Sequence, residues 1–318
     1  MFYPHGFFIK DIYIAFFSSE VAIAPEYLLV TAFIAFGIYK IRHIGTGFWA
    51  WAVPKKIYSH SSSRVDIKLF FIGRILNLFG IFNKVVFTTL IAGVVAGLFK
   101  TNIDSKILAN PILIAAIVML LNDVVSYWMH RVYHQTPLFW PIHSVHHSAE
   151  VLTPITTYRQ HPLAIVISTF VHSISFGVLQ GVFLGIFVTE FELTKLAGVN
   201  VFYFGFLLLI HNFLHSHIWI SFGNFWGHIL ISPAQHQIHH SLAPHHHNKN
   251  YGEVLAIWDW IFGTLYIPRT YEKILVGLAD SQGNKLPQQH NGAVQAIFVP
   301  FRDIWDVAMS RVKNNNQS

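Results

Sequence analysis

Long apolar stretches alternate with short polar ones along this chain, and five of them are of membrane-crossing length or close to it. A spanning helix needs roughly 20 mostly apolar residues. The first stretch covers about 22–41 and the second about 85–99. The third opens at Asn110-Pro111, a capping residue followed by the proline favoured at a first helical position. The fourth covers about 163–188 and the fifth about 196–210. Segment 66–84 mixes bulky apolar residues with Lys68, Arg74 and Lys84, so it reads as an interfacial amphipathic helix or an extension of the second span. The fold expected is all-α: a polytopic membrane helix bundle of about five spans or near-spans, with a helical cap from about residue 221 onward. Three regions follow. Residues 1–110 hold the N-terminal membrane segments and the interfacial helix, 111–270 the catalytic region, and 271–318 a C-terminal tail. No secretory leader pattern opens the chain.

Composition agrees with lipid as part of the solvent. Of 318 residues, 53% are hydrophobic and only 11% charged, against about a quarter charged in soluble domains. Cysteine is absent, which excludes disulfides, thiolate-bound zinc and cysteine-held iron–sulfur clusters. The net charge of +6 needs no nucleic acid to explain it, because basic residues collect on the cytoplasmic side of membrane proteins and no nucleic-acid motif is present. With five spans, Lys10, Lys100, Lys106 and Lys195 fall on one side and the other 17 of the 21 basic residues on the opposite, cytoplasmic, side or at its border.

Histidine, at 21 residues, changes the picture most. Four clusters stand out: His130-x3-His134, His143-x2-His146-His147, His211-x3-His215 and His236-x2-His239-His240. On a helix, residues three and four apart share a face, as chelation requires, and the ten donors suffice for two metal ions. At about 1.5 Å of rise per residue, His130 lies about 28 Å along the third helix, at the far edge of a core ~30 Å thick. Parity puts all four clusters on the cytoplasmic side. Asp123, two turns before His130 and inside the span, is a candidate catalytic residue read as accepting an imidazole N–H. His161, just before the fourth span, is the second such candidate, in an orienting or structural role.

The remaining histidines are given bland roles. His172 reads as a packing residue in mid-span, and His5, His43, His60, His228 and His290 as surface or interfacial. His217 turns to another face, and His245, His246 and His247 read as a solvated loop. Glu150 and Glu253 read as solvated or capping residues.

At these residues the sequence resembles the fatty acid hydroxylase / sterol desaturase superfamily of membrane di-iron oxygenases. The matching segments, in the family's order, run from Asp123 to His134, then HSVHHSAE, YRQHP, HNFLHSH, HQIHH and NKNYGEVLAIWDWIFGT. The second segment and the last look especially like the branch containing alkylglycerol monooxygenase and bacterial sterol desaturase-like proteins. The resemblance implies two iron ions held by His130, His134, His143, His146, His147, His211, His215, His236, His239 and His240, with O2 as co-substrate. It also implies a membrane lipid whose C–H bond is hydroxylated or desaturated, and a scaffolding role for Asn250, Tyr251, Gly252 and Asp259. No dinucleotide-binding motif occurs, so electrons come from an external reductase, a cytochrome b5-type donor or a reduced pterin. Two other classes stay open on the residues alone. One is a membrane zinc hydrolase, which ten donors disfavour because catalytic zinc takes three protein ligands. The other is a haem- or metal-binding electron-transfer or transport protein, whose facing imidazoles would not come in chelating sets.

Overall fold

The computed structural model describes residues 13–17, 21–78, 84–99, 110–188 and 200–315. The N-terminal Lys10 and the loops near 100–109 and 189–195, on which the charge count across the membrane rests, lie outside them. Among the described residues the secondary structure is helical, with isolated bridges and no strand. The main helices are α1 (Pro25–Ile41), α2 (Ser61–Leu78), α3 (Lys84–Leu98), α4 (Pro111–Gln135), α5 (Trp140–His147), α6 (Pro162–Phe187), α7 (Val201–Phe206), α8 (Pro233–His239), α9 (Ile257–Ile261) and α10 (Ala293–Asn315).

Two helices are long and apolar enough to cross a membrane, α4 with 25 residues and α6 with 26. The other three stretches form shorter helices. α1 has 17 residues, α3 has 15, and the segment from Val201 to Leu214 is interrupted by a π-turn at Leu207–His211. The starts follow local chemistry. Asn110 accepts the N–H groups of Ile112 (2.9 Å) and Leu113 (3.2 Å) ahead of α4. Asn200 does the same for α7 and donates to the Ala115 carbonyl at 2.6 Å, tying α7 to α4. α3 lies against α6 along Gly177, Gly181 and Gly185, where a Cβ would stand 2.7–2.9 Å from atoms of Ile91, Ala92, Val95 and Ala96. Small residues at this spacing let two helix backbones meet without a hydrophobic drive.

The region after residue 221 is helical in part. It is built from short turns, α8 and α9, with irregular chain from 262 to 292 and one long helix, α10, at its end. Polar contacts hold it together, and the same contacts build the site.

Of segment 66–84, residues 66–78 belong to α2 and 84 opens α3, while 79–83 lie outside the described residues. Within α2, Ser62, Ser63 and Asp66 are buried. Asp66 meets Arg159 in an ion pair of 2.8 Å in which both side chains are fully buried. Arg159 further donates to Val145 O (2.7 Å), Ser148 Oγ (2.8 Å) and His290 O (3.2 Å). One guanidinium thus fastens the C-terminal end of α5, which carries three histidines, to α2.

Candidate metal centre

Nine of the ten candidate ligands converge. His130, His134, His143, His147 and His239 form one group, and His146, His215, His236 and His240 a second, each with its donor atoms within 4.8 Å of one another. The groups adjoin, since the rings of His147 and His240 stack at 4.5 Å. Each HxxHH triplet serves both. In α5 the i,i+4 pair His143 and His147 enters the first group and His146 the second; in α8 the pair His236 and His240 enters the second and His239 the first.

The nitrogens fit cations better than they fit one another. Nε2 of His215 stands 3.2 Å from that of His146, 3.2 Å from that of His240 and 3.0 Å from that of His236. One ring nitrogen carries either a proton or a lone pair, so it cannot satisfy three such neighbours. A cation among four lone pairs can. Ligands about 2.1 Å from an ion stand about 3 Å apart when adjacent. In the first group, His134 and His143 face each other at 3.1 Å, while Nε2 of His130, His147 and His239 is buried without a hydrogen bond.

Several rings are aimed from behind. Nδ1 of His130 donates to Tyr251 O (2.8 Å), that of His239 to Lys249 O (2.8 Å), and that of His215 to Thr157 Oγ1 (2.9 Å). Such bonds fix the tautomer with the Nε2 lone pair turned inward. Burial, then the repulsion of neighbouring imidazoles, holds His147, His236, His239 and His240 far below the usual histidine range. His146 is pushed down to about 3 by burial, with His130 and Arg159 adding to it. At neutral pH these rings are neutral and free to ligate.

The loop that supplies the carbonyls is itself held by carboxylates. Asp259, buried, accepts from Tyr251 N (2.8 Å), Gly252 N (2.7 Å) and Thr264 Oγ1 (2.6 Å). A side chain on Gly252 would run into the Leu255 carbonyl and approach Asp259 Oδ2 to 2.9 Å, so glycine is required for the loop to pass. Asn250, at φ 56°, donates to the carbonyls of Gln235 (3.0 Å) and Tyr266 (2.9 Å). Asp123 belongs to the same scaffold, which corrects its reading as an imidazole acceptor. It accepts from Val254 N (3.1 Å), Leu255 N (3.0 Å) and Trp258 Nε1 (2.9 Å). The carboxylate thus meets the loop whose Tyr251 carbonyl contacts His130, and not the ring itself.

Two further candidates stand apart. His211 lies outside both groups, with Nε2 3.5 Å from Thr157 Oγ1. The π-turn ends at His211 and the helix at Leu214, and His215 has left helical geometry at φ −99°, ψ 68°. The pair therefore loses the shared face that a continuous helix would give it. His161 caps α6 by accepting from Leu163 N (3.0 Å), and its Nε2 donates to Ile297 O (2.8 Å) in α10. Both ring nitrogens are used structurally.

Residues 115–264, which contain these nine histidines and the loop behind them, match the family model for fatty acid hydroxylase. That stretch is similar to the fatty acid hydroxylase family. The chain is 30% identical over 187 residues to the alkylglycerol monooxygenase of Danio rerio, a match covering 58% of this chain and 37% of that protein. Against the Homo sapiens alkylglycerol monooxygenase it is 32% identical over 156 residues, 49% of this chain and 31% of the relative. Rattus norvegicus lathosterol oxidase is 29% identical over 159 residues, covering 48% and 45%. The chain thus spans about a third of the length of the alkylglycerol monooxygenases it matches. No solved structure matches it.

Thr157, Arg159 and Asp66 escape a reading of the site from its histidines alone; the only signal is that two of them precede His161 in TYRQH. The loop scaffold can be tested directly. Asp259→Asn would turn an amide N–H2 toward the Gly252 or Tyr251 N–H. The loss of a hydrogen bond to a charged, buried acceptor costs about 1.5–3 kcal/mol, so the variant is expected to melt earlier and to release metal faster than wild type. Unchanged melting and metal retention would separate Asp259 from the site.

Proposed function

We propose that this chain is a membrane-bound, O2-dependent lipid oxidoreductase whose hydroxylase domain holds two iron ions, one in each histidine group. The carrying observation is the convergence of nine imidazoles into adjoining groups of five and four, with inward nitrogens that have no better partner. A catalytic zinc centre uses three protein ligands, and the donors here exceed that for two ions. Iron, when bound, supplies the oxidising power that an unactivated C–H bond demands. In a hydroxylation one oxygen atom enters the C–H bond and the other leaves as water, with two electrons and two protons drawn from an external reductase, a cytochrome b5-type protein or a reduced pterin.

The chain's own part is positioning and exclusion. The loop carbonyls of Lys249 and Tyr251 and the Thr157 hydroxyl hold three imidazoles in register. A cavity of about 300 Å³ opens against His130, His143, His146, His215 and His236, walled by Met129, Tyr133, Ala164 and Leu214 together with Lys84, Ser126, Gln160, His172, His211 and Glu253. Of the aromatic residues near the clusters that could form a lipid channel (Tyr127, Trp128, Tyr133, Phe139, Trp140, Trp219, Trp258, Trp260), Tyr133 lines this cavity. Trp140 lines a second one on the other side of the centre, beside His134 and His147. Trp128 and Trp260 face outward, as interfacial anchors do.

A chamber with both apolar and polar walls suits a substrate whose reacting carbon lies close to its polar end: a fatty acyl, alkyl-ether or sterol-like lipid. Lipid profiles of cells with and without the gene, grown under 18O2, are expected to differ in a lipid oxidised near its head group. Label at a chain terminus, or only in water-soluble products, would overturn this placement. The five stretches and the basic-residue bias support a cytoplasmic centre in a multi-pass protein. A reporter fused after Ile267 is accordingly expected to read as cytoplasmic and one at the N-terminus as external; an external reading after Ile267 removes the five-span arrangement.

A further inference from the structure

Away from the centre, the turn Pro244–His246 gathers a third set of donors. His245, His246 and Glu272 each bring one ligand atom within 4.8 Å of the other two. His246 is 3% exposed, and its Nδ1 is buried without a hydrogen bond. Its Nε2 stands 3.0 Å from Glu272 Oε2. The carboxylate is oriented from behind, because the Tyr266 hydroxyl donates to its other oxygen, Oε1, at 3.0 Å. The ring of His245 lies 4.0 Å from that of His246 and is exposed, which leaves the group open to solvent on one side.

We propose that His245, His246 and Glu272 form a separate metal site that takes one divalent transition cation of the zinc type, with water completing its shell. Two imidazoles and one carboxylate with an open position are a donor set that zinc accepts. The Tyr266 hydrogen bond is the outer support such ligands have. An ordinary hydrogen bond, in which the Nε2–H of a neutral His246 donates to Glu272, is the competing account, and it leaves the buried Nδ1 without a partner. A buried nitrogen without a partner carries a desolvation cost that a cation removes.

The consequence is mechanical. Lys249 N donates to His246 O at 3.3 Å, and Lys249 O accepts from the centre's His239 at 2.8 Å. An ion on the turn stiffens the strap that aims His239. The site is independent of which metals the nine-histidine centre holds.

The test uses the full chain in detergent, without a polyhistidine tag, equilibrated by dialysis against Zn2+. Wild type is expected to bind one equivalent more than His246→Ala. With Co2+ as the probe, wild type is expected to show visible absorption that His245→Asn and Glu272→Gln weaken. Zn2+ should also protect the 244–250 segment from proteolysis in wild type and not in the variants. Equal zinc stoichiometry in wild type and a His246→Ala chain that elutes like wild type overturns the proposal. Should His246→Ala fail to fold, Glu272→Gln decides: loss of the extra equivalent supports the site, and its retention overturns it.

Discussion

His146→Ala and His239→Ala are each expected to lose bound metal and to fall to background activity while the protein still reaches the membrane. The two residues sit in different groups, His146 in the group of four and His239 in the group of five, so each substitution strikes one ion first. Removing an outer-shell partner of a metal ligand costs about 10–100-fold in affinity or activity; removing a ligand should cost more. Metal analysis of the purified variants, with a Mössbauer spectrum of the wild type, checks both the stoichiometry and the identity of the metal. Wild-type metal content in either variant would refute the assignment at that position. Membrane insertion should persist because α4 and α6, the helices of spanning length, are untouched.

Arg159→Ala is expected to be the most destabilising single change outside the histidines. The guanidinium is fully buried, and its removal strands the equally buried Asp66 together with the Val145 carbonyl and the Ser148 hydroxyl. Breaking a buried ion pair by deleting one partner costs about 3–5 kcal/mol, whereas replacing both partners by apolar groups of similar volume is often close to neutral. Thermal unfolding in detergent should therefore place Arg159→Ala well below wild type and the double change Arg159→Met with Asp66→Leu between them. Equal melting of wild type and Arg159→Ala would show that α5 is held by other contacts. Because α5 carries His143, His146 and His147, loss of the clamp should also lower metal content in the fraction that folds.

Much of the chemistry is written locally and can be read locally. The four histidine clusters, Asp123 inside a long apolar stretch, the Asn110-Pro111 helix start and the NYG loop are each defined by a few neighbouring residues. α4 and α6 are long apolar runs bounded by capping residues, and hydrophobicity over about 20 residues is the strongest signal a chain carries. The stretches that fell short did so for a local reason as well: α3 has 15 residues, and the 201–214 segment changes helical register at its π-turn.

What the chain could not announce is how the triplets are shared. HxxHH looks like a chelate for one ion, yet α5 and α8 each direct an i,i+4 pair to one group and the third ring to the other. That division depends on where two helices about 90 residues apart in sequence come to rest, which follows from the helical period of 3.6 residues only once both axes are placed. The same is true of Asp123. Its position marked it as functional, but its partners are the backbone of residues 254 and 255, and only folding brings those N–H groups to the carboxylate. The pairing of Asp66 with Arg159 and the burial of His246 against Glu272 were likewise invisible to spacing. By itself the sequence determined which histidines stand at chelating spacing and which stretches are long and apolar, because residue type and hydrophobic run length are local properties. The tertiary structure alone decided which imidazoles converge in which group and what aims them, because such contacts are set by distances of about 3 Å between groups that the chain keeps far apart.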